Sequence, residues 1–426
     1  MSFGYGFGPR ARRRGVIAGG GGGEPPPPSS DVAFVGLDEA GFDTVDQHTL
    51  DVPGSTQPGD ELVLLTVGLG DPPVDGYPDP PAGWFMFERR VNTGSGQYWR
   101  RGLRRVAPDP VPATIVVGEE LDDYGEWRAA LLVYRNGRLM GNTEEDSGAN
   151  WLNGSTNETN ALDGDDGLAL DLITVNATAS SPPPPTPAFS TDPASTSRIN
   201  NPGLLAAERS LAAGEMDVTH LSTGVRGYLH RYNVLPNDLA GNLDQSARQL
   251  PSVVGNLGCI IAFSRGSAPA APSGWDTTIS VESGSSNLHM QLRVFTKVLD
   301  GSEDPDLLFD RSSAQDRNYL TVDCDPTAIE AATDTDTLVA PSVDAPGPGL
   351  LLTFCTRRDA LWPSGSAPAD TSSIFVRSNA SNEVNGIVAI ERIEEAGPTG
   401  TRTFVSDGGH ASRMATASLF LPDAEE

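Results

Sequence analysis

One ordered run of landmarks occurs twice in the chain, and it restricts the fold more than any other feature. The fuller version occupies 257–311. An apolar run, Leu257 to Phe263, leads into a Pro/Ser loop that closes on Pro272, Ser273, Gly274 and Trp275. A Gly/Ser turn follows, then the run Leu288 to Val298, then Asp300, Gly301, Ser302, Glu303, Asp304 and Pro305. Short apolar runs punctuated by Gly, Pro, Ser and Asp read as strands joined by turns. Met290, Leu292 and Val294 alternate with His289, Gln291 and Arg293, so the apolar set is expected to face inward. Trp275 is expected to lie over the end of the core and close it.

The same order stands upstream in a weaker form. Gly59 to Val67 is an apolar run, a loop closes on Pro80, Pro81, Ala82, Gly83 and Trp84, and a basic run, Gln97 to Val106, precedes Asp109 and Pro110. A second pair of landmarks keeps nearly the same spacing. Leu205 to Arg209 matches Val388 to Arg392, and each is followed by Gly, a polar segment, an alternating run and a terminal Leu-Pro, at Pro236 and Pro422. Solenoid repeats have far shorter periods, so this pattern reads as duplication of a whole domain.

A chain of 426 residues suits two domains of ordinary size. With 47 Gly, 35 Pro and 38% apolar residues, the composition is that of a loop-rich all-β protein. The boundaries read as a leader over 1–30, a first domain over 31–236, a joining segment over 237–250 and a second domain over 251–426. About nine or ten short strands per copy is the count of a jelly-roll-like β-sandwich. Helical periodicity is rare. Thr327 to Asp336 is expected as a short helix, and Leu204 to Ala213 fits helix or strand. Gly141 to Asp166 and Ser180 to Pro202 read as long polar loops.

The formal charge of −28 sets the body against nucleic acid and anionic membrane as partners. Cys259, Cys324 and Cys355 are too few and too scattered for a disulfide framework or a structural zinc site, and Cys259 and Cys355 read as small core residues. No segment reaches the ~18 apolar residues that span a bilayer, and Val16 to Ala18 is too short for a signal-peptide core. Synthesis and retention in the cytoplasm, or exit within a larger particle, is the expectation.

The leader is unlike the rest. Phe3, Tyr5 and Phe7 alternate with glycines, and Arg10, Arg12, Arg13 and Arg14 follow Pro9. Gly19 to Gly23 form a flexible run and Pro25 to Pro28 a stiff spacer. Such a segment reads as a plain disordered tail or as a peptide that orders on an acidic partner surface, and a third reading, contact of the arginines with nucleic acid, is opposed by repulsion of the attached acidic body.

Catalytic patterns are sparse. Asp163, Asp165 and Asp166 are spaced as in a calcium loop, but the distal bidentate Glu is missing, so a solvated turn is the simpler account. His48, His220, His230, His289 and His410 share no metal-ligand spacing, and no nucleophile elbow, phosphate loop or dinucleotide fingerprint occurs, so no cofactor is implied. Glu208 with Arg209 and Glu391 with Arg392 read as members of cross-strand ion pairs. Asn153, Asn157, Asn176 and Asn379 head glycosylation sequons that have no role without secretion. Among Trp84, Trp99, Trp127, Trp151, Trp275 and Trp362, Trp151 in its polar loop is the candidate for glycan contact, against burial as the simpler role.

The run from Leu257 through Gly274, Trp275 and Lys297 to Asp300, Gly301, Ser302 and Glu303 resembles β-sandwich domains of tailed-bacteriophage surface proteins. The first copy keeps Gly59, Asp60, Gly83 and Trp84 but lacks the Lys and the Gly-Ser-Glu. The leader is similar to short N-terminal peptides of phage accessory proteins. The resemblance implies a non-enzymatic virion protein: a capsid decoration, cement or head-fibre protein docked on the major capsid protein or another virion protein, or a tail fibre that binds host polysaccharide.

Overall fold

The computed structural model describes residues 32–45, 47–69, 83–92, 98–118, 126–140, 143–144, 168–175, 188–189, 196–201, 204–210, 219–220, 227–240, 243–246, 250, 253–266, 268–283, 290–303, 315–358, 367–377, 384–405 and 413–424. Within them the chain is nearly all β, of sandwich type, as its composition predicts.

Four main sheets carry the fold, and each draws five strands from one stretch of the chain, sheet IV taking a sixth, Thr143–Glu144, at its edge. Sheet I holds β1 (Ala33–Asp43), β2 (Glu61–Leu69), β3 (Phe85–Asn92), β4 (Tyr98–Val106) and β5 (Trp127–Arg135). Sheet II holds β6 (Gly137–Met140), β7 (Leu168–Val175), β8 (Thr196–Asn201), β9 (Leu204–Ser210) and β10 (Gly227–Pro236). Sheet III holds β11 (Asp244–Ser246), β12 (Leu257–Arg265), β13 (Asp276–Ser283), β14 (Met290–Val298) and β15 (Gln315–Val322). Sheet IV holds β16 (Glu330–Thr335), β17 (Gly349–Arg358), β18 (Ser372–Arg377), β19 (Val384–Ile393) and β20 (Met414–Pro422).

The order across every one of these sheets is first, fifth, second, fourth, third. The second strand is therefore always central, and β2, β12 and β17 are the near-continuous apolar runs that burial on both faces demands. A jelly roll distributes its strands over two sheets through Greek keys. Here, Thr143–Glu144 apart, the strands of one main sheet precede those of the next, so the strand order differs from that expectation while the all-β, layered character agrees with it.

Sheets I and II face each other through Val63, Leu65, Val67, Phe87, Ala130 and Leu132 on one side and Leu170, Leu172, Ile199, Leu204, Ala206 and Val234 on the other. Sheets III and IV do the same through Cys259, Ile261, Phe263, Met290, Leu292 and Val294 against Leu350, Leu352, Phe354, Val388, Ile390 and Leu419. The inward set expected of β14 is thus the observed one. The outer face of sheet I is covered by the short two-stranded ladder of His48–Asp51 with Thr114–Val117, which lays Leu50, Val52 and Val117 on Leu62, Leu64, Trp84, Trp99 and Trp127. Trp275 corrects its expectation. It packs with Leu250, Ile260, Phe295 and Leu299 on the outer face of sheet III, not over the end of the inter-sheet core.

Sheets I and III match in detail. Gly59 and Gly255 both have positive φ, at 91° and 95°, and donate to the carbonyls of Ala107 and Leu299 at 2.9 and 2.8 Å. The third strand is bulged at one equivalent point in each, between Met86 and Glu88 and between Thr277 and Ile279.

Three stretches read otherwise from the sequence. Glu330 to Thr335, expected within a helix, pairs in register with Phe420 to Ala415; Thr333 and Thr335 are β-branched, and the ladder offered by β20 satisfies the backbone. Leu204 to Ser210 is the strand alternative, and β8 lies inside the expected Ser180–Pro202 loop. In the joining segment, Asn237–Ala240 forms a helical turn, Leu243 is fully buried and Asp244–Ser246 is already the first strand of sheet III.

The two pairs of sheets touch. Met140 and Leu235 of sheet II, with Leu243, belong to the core between sheets III and IV. Thr143–Glu144 adds to the edge of sheet IV, parallel to Val376 and Arg377.

Candidate functional site

The residues singled out for partner docking, Phe3, Tyr5, Phe7, Arg10, Arg12, Arg13 and Arg14, lie outside the described residues. So do Trp151, Trp362 and the Asp163, Asp165 and Asp166 turn. Of the remaining glycan candidates, Trp84, Trp99, Trp127 and Trp275 are all buried. His48 is buried against the Trp127 ring at 4.2 Å, with Nε2 3.3 Å from the Trp127 carbonyl.

The strongest concentration of chemistry among the described residues is one that the sequence reading missed. Between sheets I and II lies a buried layer of charge. On β3, β4 and the start of β2, alternation turns Glu88, Arg100, Arg104 and Glu61 inward, all at 1% exposure or less. Arg100 pairs with Glu88, and its Nη1 also donates to the Leu172 carbonyl at 3.4 Å. The Tyr232 hydroxyl donates to the second Glu88 oxygen at 2.5 Å. Arg104 Nη1 donates to Glu61 at 3.2 Å and to the Leu139 carbonyl at 2.8 Å. Glu61 also accepts from the Leu139 amide at 3.4 Å and faces Arg138 at 3.7 Å. Leu172, Tyr232, Arg138 and Leu139 all belong to sheet II, so each charge of sheet I is answered from across the sandwich. The signal was present in the period-two spacing of Arg100, Gly102 and Arg104, but a run of arginines in a strand reads first as a solvated face.

A second group lies along the same interface. Arg198 pairs with Glu208, and its guanidinium sits 4.0 Å over the Phe34 ring. Burial pushes the Tyr134 phenol well above its ordinary value, reinforced by Glu208 and opposed by Arg198. Glu208 and Glu391 do form ion pairs, the first with Arg198 on the neighbouring strand and the second with Arg402. Arg392 pairs instead with Asp423.

The segment that carried the family resemblance folds as a clasp. Lys297 Nζ reaches Glu303 at 2.7 Å and Asp300 at 3.3 Å. Glu303 accepts the amides of Asp300 and Gly301 at 3.1 and 3.0 Å, and Asp300 accepts the Ser302 amide at 2.9 Å. The Ser302 hydroxyl and amide, with Lys297, hold the Asp300 carboxyl down to about 2. With these oxygens engaged, the turn closes the end of β14.

All three cysteines are buried and free. Burial, reinforced by Cys324, pushes the Cys259 thiol far up, burial raises Cys355 likewise, and burial with Asp323, Asp325 and Asp423 pushes Cys324 up to about 12. Thiols in that state are poor nucleophiles and poor metal ligands. Among the described residues no group of three or more His, Cys, Asp or Glu is placed to hold a metal, and no helix is long and apolar enough to cross a membrane. A scan against protein-family models found no match, and neither did comparison with curated proteins or with solved structures.

Proposed function

We propose that the protein is a non-enzymatic structural component of a bacteriophage virion: two tandem β-sandwich domains, divided near 236–251, that project from the particle surface. The N-terminal peptide tethers them to the major capsid protein or another virion protein, as in a decoration, cement or head-fibre protein. The observation that carries this reading is a contrast of charge. Arg10, Arg12, Arg13 and Arg14 cluster at the head of a chain of net charge −28. In the body, by contrast, Arg100, Arg104, Arg198, Lys297, Arg392 and Arg402 are bound to carboxylates of their own chain.

A basic peptide on an acidic body is driven toward an acidic partner surface, while the body is repelled from it. Phe3, Tyr5 and Phe7 supply apolar contact, and the Gly and Pro spacer sets the distance. On a particle whose subunits are already fixed, many modest contacts add up by effective concentration.

The test is deletion of residues 1–24. The truncated chain is expected to keep its far-UV spectrum and unfolding midpoint and to be missing from purified particles. Incorporation at the parental copy number overturns the reading. Binding of the truncated chain to host polysaccharide, lost on Trp151→Ala, would instead assign it to a tail fibre.

A further inference from the structure

The four sheets share one strand order, and the inner faces of sheets III and IV carry mainly hydrocarbon. Such a chain has a problem of choice. Sheet I can be offered sheet II or sheet IV as its cover, within one molecule or between two, and apolar burial is non-directional. We infer that the buried charge layer of sheet I is the device that selects sheet II.

The matched ladders of sheets I and III allow a residue-by-residue comparison. Glu61 and Leu257 open the two central strands, paired to Val106 and Tyr134 in one and to Val298 and Val322 in the other. Counting along the ladders, Arg100 stands where sheet III has Leu292, and Arg104 where it has Thr296. Across the shared bulge, Glu88 stands where sheet III has Ile279. Sheet III therefore shows that hydrocarbon serves at three of these places. The charges of sheet I are not demanded by its strand geometry.

They are demanded by its partner. Sheet II supplies the Tyr232 hydroxyl, the Leu172 and Leu139 carbonyls, the Leu139 amide and Arg138. The face that sheet IV offers is Leu350, Leu352, Phe354, Ile374, Val388, Ile390, Ala415, Ala417 and Leu419. Sheet I laid on that face would bury its charges without those contacts, which is strongly unfavourable, whereas the native pairing satisfies them. Discrimination comes from the penalty on the wrong pairing more than from the strength of the right one. This inference does not depend on the virion reading.

The experiment grafts the sheet III residues onto sheet I in the full chain: Glu61→Leu, Glu88→Ile, Arg100→Leu and Arg104→Thr together, with the pair Glu88→Ile and Arg100→Leu as a milder version. Native protein is compared by urea midpoint. Refolding from denaturant is followed by monomer recovery on size exclusion with light scattering, over a range of protein concentrations. The expected result is a midpoint equal to or above the parent, with monomer recovery falling several-fold as concentration rises and exchanged dimers appearing. Parental recovery at every concentration overturns the inference. So does loss of recovery that merely tracks a lowered midpoint, because the layer is then a stabiliser and not a selector. If the fourfold variant does not fold, the pair alone decides by the same two readings.

Discussion

The ionic layer shows how differently one residue and a pair behave in a protein interior. Arg100 is fully buried and bound to Glu88 and the Leu172 carbonyl. Replacing it alone, Arg100→Leu, leaves the Glu88 carboxylate in the core with Tyr232 as donor but its cation gone. The expected cost is about 3–5 kcal/mol, read as a lowered urea midpoint with an unchanged slope. Replacing Glu88 by Ile as well is expected to bring the midpoint back to the parental value or above it, since Ile279 and Leu292 already occupy the equivalent places in sheet III. Nothing in the one-dimensional pattern distinguishes Arg100 from the exposed arginines of an ordinary strand. What could be read was the alternation that sets Arg100 and Arg104 on one face. What could not be read was that the face is covered.

Elements were legible where their own sequence forced them. The apolar runs of β2, β12 and β17 and the alternation of β14 need no neighbour to be recognised. Edge elements such as β8, β13 and β16 carry polar residues at most positions, and their strand form comes from the ladder beside them. The clasp after β14 is a local element, and its prediction is local too. The Asp300 carboxyl lies below its ordinary value of 3.8, chiefly through the Ser302 hydroxyl and amide. A folded-state value below the unfolded one means that the clasp contributes stability above the unfolded value and loses it as pH falls through the folded one. That window runs from near 3.8 down to about 2. Ser302→Ala is expected to move the Asp300 titration upward toward 3.8, measured by carboxyl carbon NMR, with little change in the fold.

At the scale of the whole molecule, the joining segment reads as polar and short, yet it holds the two pairs of sheets together. Leu243 is fully exchanged from solvent into the core between sheets III and IV, beside Met140 and Leu235 of sheet II. Thr143–Glu144 adds a second tie at the edge of sheet IV. Shared core of this kind couples unfolding. One calorimetric transition is expected for the parent, and Leu243→Ala is expected to cost about 2–5 kcal/mol and to separate the transition in two. Two separate transitions in the parent would show instead that the halves melt independently.

By itself the sequence determined the class and the repetition. Strand period, turn residues and recurring landmarks are local properties, written wherever a strand must alternate and a turn must use Gly or Pro. Only the tertiary structure decided which faces meet. It placed Trp275 on an outer face, turned Glu88 and Arg100 into a buried pair, and revealed that sheet II and sheet IV repeat the strand order of sheets I and III. The reason is physical: burial and charge pairing depend on residues far apart in the chain, and a side chain's environment is fixed by its cover, which no single strand specifies.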